Sequence, residues 1–197
     1  MFYKVKTYMK NSKVKEILLL GLVTSIIVLL MFFFRADIII SIFFIITLTY
    51  VLIFEDKYTK IYLLIAFVLS FIWMTIASSY YNYNNNFFVI YGINIFPLFA
   101  WCLGFFYVYK FYRCFNFEAK NVFLDFIKFS IIAGILVLFF ETIGYHYLMI
   151  RNGATVLYSG LAFCDCLHAP AWIQISYFML GPLYYLLCYF LIEKTAG

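Results

Sequence analysis

The chain reads as an all-α protein, a polytopic membrane helix bundle of about six transmembrane helices, and three observations predict it. Of its 197 residues 67% are hydrophobic and only 12% charged, a balance outside that of soluble domains. Apolar stretches recur at the length of roughly 20 helical residues needed to cross a hydrocarbon core of about 30 Å. Runs such as LLLGLVTSIIVLLMFFF show none of the polar–apolar alternation of a transmembrane barrel strand.

Residues 1–16 form a basic head in which Phe2, Tyr3, Val5, Tyr8 and Met9 alternate with lysines, a composition that suits an interfacial segment or a solvated tail. Residues 17–197 form one membrane domain without a Pro/Gly/Ser linker or an internal repeat. Its first run, Ile17 to Phe34, follows the basic head as a secretory signal would. The length of that run, and the lack of a small-x-small cleavage site before Arg35, favour a retained anchor. The next runs are Ile38 to Phe54, Ile61 to Ala77, Phe87 to Tyr109, Phe126 to Tyr147 and Ala171 to Ile192. Pro97 and Pro182 fall inside the fourth and sixth, where each removes a helix hydrogen bond and predicts a kink. The tyrosines of Tyr80 to Asn86, YYNYNNN, read as interface anchors.

Six spans put both termini on one side. That side carries Lys4, Lys6, Lys10, Lys13, Lys15, Lys57, Lys60, Lys110, Arg113, Lys120, Lys128 and Lys194, against Arg35 and Arg151 on the other. Because positive loops stay cytoplasmic, the N- and C-termini are expected there. The net charge of +5 then reports topology, with anionic lipid headgroups as partners, and not a nucleic-acid patch.

The fifth connection, residues 148–170, is long beside its neighbours, and its Leu157, Tyr158, Leu161, Phe163 and Leu167 predict that it folds back on the outer face of the bundle. Asn152-Gly153 and Ser159-Gly160 supply turns, and Pro170 suits the start of the last helix.

This loop and the adjoining helix ends hold the candidate chemistry. Glu141 lies inside the fifth span, about 10 Å below the boundary by helical rise, where an ionisable group is costly and points to function. The alternative is a packing role, hydrogen-bonded to Asn94, Gln174 or a tyrosine. As an acid or base Glu141 would be supported by His146, His168 or Asp165, with Arg151, Asn94 and Gln174 contacting substrate. Helical spacing sets Glu141 on a face with Gly144, Tyr145 and Leu148 and turns His146 about 140° away, so any cooperation needs a distortion after Gly144.

Cys164, Cys166 and His168 offer donors for a thiophilic metal ion, although their spacing is not that of a zinc ribbon. A bond between Cys164 and Cys166 spans only two residues, so free thiols packed in an apolar loop are the plainer expectation, with a redox role as the remaining one.

Walker, GxSxG, HExxH and paired DxxxD signatures and the N-x-[ST] sequon are absent. The order Glu141, Gly144, Tyr158, Gly160, Pro170, Trp172 resembles, over a short stretch, the end of the carotenoid-biosynthesis membrane proteins that hydrate isoprenoid ends. The intervening CDCLH departs from that pattern, and no catalytic role is carried over. The sequence therefore supports an enzyme modifying a lipid or isoprenoid at the outer leaflet by acid–base chemistry. The alternatives are a non-catalytic subunit of a membrane complex, or a small-solute or ion transporter working as a homo-oligomer. A prokaryotic cytoplasmic membrane is the expected location.

Overall fold

The computed structural model describes residues 21–83, 86–114 and 121–193; the basic head 1–16, and with it the start of the first expected span, lies outside the described residues. The described part of α1 is Gly21–Phe33. It is followed by α2 (Ala36–Phe54), α3 (Lys57–Ala77), a short hairpin of β1 (Val89–Ile90) and β2 (Ile93–Asn94), α4 (Ile95–Cys114), α5 (Val122–Thr142) and α6 (Ala171–Cys188). Five helical segments are long and apolar enough to cross a membrane, running over Ala36–Phe54, Lys57–Tyr80, Ile95–Cys114, Val122–Tyr147 and Ala171–Ile192.

α3 packs antiparallel against α4 and α5 antiparallel against α6, while α2 lies parallel to α4, both running from the hairpin end to the Glu55–Lys110 pair. Val51, Ala66, Met74, Cys102, Phe106, Tyr109, Phe129, Ile173 and Tyr184 fill the interior. The outward faces carry Ile46, Ile53, Ile76, Phe123, Ile135 and Met179, all exposed. An apolar surface of that extent suits acyl chains and would be costly in water.

Polar residues mark the two ends. At one, Lys110 pairs with Glu55 and lies over the Phe106 ring, and the Asp56 side chain caps α3 by accepting the Thr59 N–H at 2.8 Å. Nearby, the buried Asp125 carboxylate accepts hydrogen bonds from the Tyr112 and Tyr185 phenols. At the opposite end Arg35 donates from Nε and Nη2 to the buried Asp37, whose Oδ2 also accepts the Phe88 N–H at 3.0 Å. Asp37 thereby fastens the hairpin to α2.

Two sequence expectations change here. The run from Phe87 does not begin as helix. Tyr91 and Gly92 both hold positive φ, +50° and +79°, the signature of a type I′ turn, so residues 89–94 pair as a hairpin and α4 starts at Ile95. Pro97 consequently sits in the first turn of α4, where a missing N–H costs nothing, and the expected kink has no cause. Pro182 does lie inside α6, next to Gly181, which approaches Ala133 of α5.

Candidate functional site: a polar cavity under the long loop

α5 does not stop cleanly at Thr142. Its backbone widens into a π turn over Ile143–Tyr147, with the Leu148 N–H donating to Ile143 O at 3.0 Å. Such turns re-aim the side chains around them. Glu141 and Tyr145, one turn apart on the same face, both point into a cavity at the Arg35 end of the bundle. Residues from four segments complete its wall: Tyr80, Tyr81 and Tyr83 after α3, Asn152 and Thr155 in the long loop, Leu167 and His168 near its end, and Ile173 and Tyr177 on α6. The cavity volume is about 50 Å³. At roughly 10–15 Å³ per water centre, that admits a few waters or one small functional group.

The long loop is held over the cavity by specific contacts. Asn152 acts as a clamp: its Oδ1 accepts the Asn82 N–H at 3.0 Å, its Nδ2 donates to Tyr80 O, and its backbone bridges to Tyr83. Gln174 on α6 donates from Nε2 to Ser159 O and Leu167 O, at 3.0 and 3.1 Å. Gly160 passes so close that a Cβ there would lie 2.9 Å from Cys166 O and 3.0 Å from His168 Nε2. Glycine is needed at this position for space.

The floor of the cavity is a hydrogen-bond chain built from aromatic side chains. The Trp73 indole N–H donates to Tyr81 Oη at 3.0 Å and the Trp101 indole N–H reaches it at 3.3 Å. An indole can only donate, so these two contacts occupy the acceptor capacity of the Tyr81 oxygen. The Tyr81 proton is then committed to Tyr177 Oη, 2.8 Å away, which leaves the Tyr177 O–H to donate into the cavity. Burial pushes the Tyr81 and Tyr83 phenols up from their ordinary value of 10.0, and the nearby Glu141 charge adds to the effect, so both remain neutral donors.

Among the described residues no hydrogen bond or ion pair holds the Glu141 carboxyl. Two of the partners that a packing role would use, Asn94 and Gln174, are occupied elsewhere. Asn94 is buried and accepts the Phe96 N–H at 3.1 Å, capping α4, and Gln174 binds the loop backbone.

His168 shares the cavity wall with Glu141. Its Nδ1 lies 2.7 Å from Tyr158 O, its Nε2 lies 3.1 Å from Asp165 O and 3.3 Å from Asp165 Oδ1, and its ring stacks on Tyr145 at 4.5 Å. Both nitrogens face oxygens that only accept. Asp165 itself is exposed and reaches the cavity only through His168. His146 is exposed, outside the wall, with Nε2 2.9 Å from Cys164 O. Arg151, which does not line the cavity, lies with its guanidinium over the Tyr145 ring at 5.1 Å.

No family model, curated protein or solved structure matches this chain. Its site is therefore read from its own geometry.

The two cysteines of the loop are bonded to each other: Cys164–Cys166 is a disulfide, with the Cα atoms 5.2 Å apart. The expectation of free thiols gives way because Asp165 adopts φ +45°, which folds the chain back and brings the flanking residues within bonding range. Both sulfurs are then unavailable as thiolates to a metal ion. Among the described residues no group of three or more His, Cys, Asp or Glu side chains is placed to hold one.

Tyr81 and Tyr177 were not singled out by the sequence. The tyrosines after α3 read as interface anchors, yet Tyr81 is buried and lines the cavity. The partner that turns it inward lies 96 residues away, beyond any local pattern.

Proposed function

We propose that the protein is a small integral membrane enzyme that modifies a lipid or isoprenoid at the outer leaflet by acid–base chemistry. One observation carries this reading: the Glu141 carboxyl faces a small polar cavity with no partner of its own, beside a phenol whose proton is directed into the same space. Glu141 is the general acid or base, exchanging a proton with a water or with the reacting atom of the substrate. Tyr177 donates a hydrogen bond to charge that develops there, and His168 supports it from the same cavity wall as Glu141. Arg151, over the Tyr145 ring, suits an anionic headgroup. His146 and Asp165 stand outside the cavity and act on it only through the loop and His168. The apolar body of the substrate lies along the lipid-facing helices while its reactive end enters the cavity. Lys57, Lys60, Lys110, Arg113 and Lys128 lie toward the other end, which supports an extracytoplasmic cavity in a prokaryotic cytoplasmic membrane.

Mass spectrometry of lipid extracts from cells expressing the wild type or Glu141→Gln tests this. A lipid species that changes mass with the wild type and not with Glu141→Gln, at equal protein levels, supports the reading. Identical lipid profiles would remove it.

A second reading rests on a different observation. Leu157 and Phe163 in the long loop are 96% and 73% exposed, an apolar surface that suits docking to a partner subunit of a membrane complex. In that case purification in mild detergent brings a stoichiometric companion, and Glu141→Gln leaves the complex intact.

A further inference from the structure

The Cys164–Cys166 disulfide has no place in the acid–base reading, and it is badly built for a staple. It joins residues two apart in one loop, so it restrains the unfolded chain very little and ties no distant segments together. The loop already has its own fastenings: the Leu161 N–H donates to Cys166 O at 2.9 Å, the Asp165 N–H donates to Leu161 O at 2.8 Å, and Gln174 pins the backbone at Ser159 and Leu167.

Three features give this bond the character of a reactive one. The two sulfur-bearing residues differ in access: Cys164 is partly exposed, whereas Cys166 is fully buried against the bundle. A thiol arriving from solvent therefore meets one sulfur, and the other becomes the leaving group. The backbone that carries the bond is held in an unfavourable shape, with Asp165 at φ +45° and Leu167 at φ +56°, neither of them glycine. Opening the bond removes one restraint on Asp165, the residue it encloses. The loop also lies on the side of the bundle that the lysine distribution assigns to an oxidising compartment, where a disulfide persists until a partner thiol takes it. The other described cysteines, Cys102, Cys114 and Cys188, form no disulfide.

We propose that Cys164–Cys166 is a thiol–disulfide exchange site that oxidises a dithiol on an extracytoplasmic peptide or protein. A substrate thiolate attacks Cys164 Sγ, the Cys164–Cys166 bond breaks, and Cys166 Sγ leaves with the electron pair and takes up a proton. The second substrate thiolate then attacks its own partner sulfur in the mixed disulfide. Cys164 Sγ leaves, also to be protonated, so that the chain has gained two electrons and two protons and the substrate has formed a disulfide. Each chain carries out one round. This activity is separate from the acid–base reading of the cavity and does not depend on it.

The test uses the purified full chain in mild detergent and, as probe, a reduced synthetic peptide carrying two cysteines. After equimolar mixing, free thiols are alkylated and counted by mass spectrometry. Transfer to more than about half of the peptide, with Cys164 and Cys166 becoming alkylated together, is expected of an oxidising exchange site. The Cys166→Ser variant, offered the oxidised peptide, should hold it through Cys164 as a mixed disulfide. The Cys164→Ser/Cys166→Ser double variant should transfer nothing while keeping the wild-type melting midpoint. Glu141→Gln should exchange like the wild type, which separates this site from the cavity. If the disulfide stays closed in the folded wild type and opens only after denaturation, or if the double variant melts well below the wild type, the bond is structural and the proposal is overturned.

Discussion

Tyr81 and Tyr177 meet oxygen to oxygen at 2.8 Å beneath the cavity that Glu141 lines. Two indole N–H groups fill the acceptor side of Tyr81, so the proton order along the chain runs from tryptophan through Tyr81 to Tyr177 and ends in the cavity. Tyr177→Phe removes the final donor and leaves the Tyr81 hydroxyl without its acceptor. The expected stability cost is about 1 kcal/mol, the usual net worth of one buried hydrogen bond. Turnover of the lipid species identified with the wild type should fall by about 10²–10³-fold, as for loss of one donor to developing charge. A Tyr177→Phe enzyme with full turnover would assign the phenol to packing.

Burial of the tyrosines after α3 gives a pH dependence. Burial raises the Tyr81 and Tyr83 phenols above their ordinary value of 10.0, so the folded chain holds these protons more tightly than the unfolded one. Their contribution to stability is fully present below pH 10.0 and is lost as pH rises through the raised values. Tyrosinate absorbance near 295 nm should therefore develop in two stages, exposed tyrosines first and the buried pair only with unfolding. Ionisation of all 19 tyrosines in one step near pH 10.0, with the helices intact, would contradict the burial.

At the other end of the bundle the sign reverses. Asp56 accepts the Thr59 N–H at the start of α3, and this hydrogen bond holds its carboxyl below the ordinary value of 3.8. The cap therefore contributes above that value and is lost as pH falls through the lowered one. Asp56→Ala should cost about 1 kcal/mol at neutral pH, with the difference from the wild type vanishing in acid. Thermal melts of both proteins across the acid range measure it.

Gly181 and Ala133 set the closest approach of α5 and α6. A Cβ on Gly181 would lie 2.9 Å from the Ala133 Cβ, so Gly181→Ala forces the helices apart and should cost about 1–3 kcal/mol. Ala133→Gly in the same chain should restore most of the loss. An equal melting point for Gly181→Ala alone would show that the contact is slack.

Gly160→Ala acts on the lid. Its Cβ would press on Cys166 O and His168 Nε2, so His168 should leave the cavity wall while the transmembrane helices stay folded. The expected readout is loss of turnover and faster proteolysis within residues 153–168, with little change in helical circular dichroism. Undiminished turnover would detach His168 from the chemistry.

How much of this was legible in the sequence depended on the range of the interaction. Helices α2, α3, α5 and α6 follow from runs of apolar residues long enough to cross a bilayer, and the position of Glu141 follows from counting along one of them. The start of α4 did not, because FFVIYGINI is as apolar as a helix and only the Tyr91-Gly92 pair, with positive φ at both residues, marks the hairpin. Glu141 and His168 were each named, but that they share a cavity which His146 does not line depends on the π turn after Thr142 and on the fold of the long loop. The disulfide depended on the left-handed φ of one aspartate, Asp165, and the Trp73–Tyr81–Tyr177 chain on residues from separate helices. Neither leaves a mark in local periodicity.

The central claim is that Glu141 is an unpaired acid open to a cavity. The most direct measurement is labelling of the purified chain with a hydrophobic carbodiimide, which couples to accessible protonated carboxyls, followed by peptide mass spectrometry. Glu141 is predicted to be the membrane-span carboxyl modified first, ahead of Asp37 and Asp125, which are held by Arg35 and by two tyrosines. An unmodified Glu141 beside labelled Asp37 or Asp125 would contradict the account.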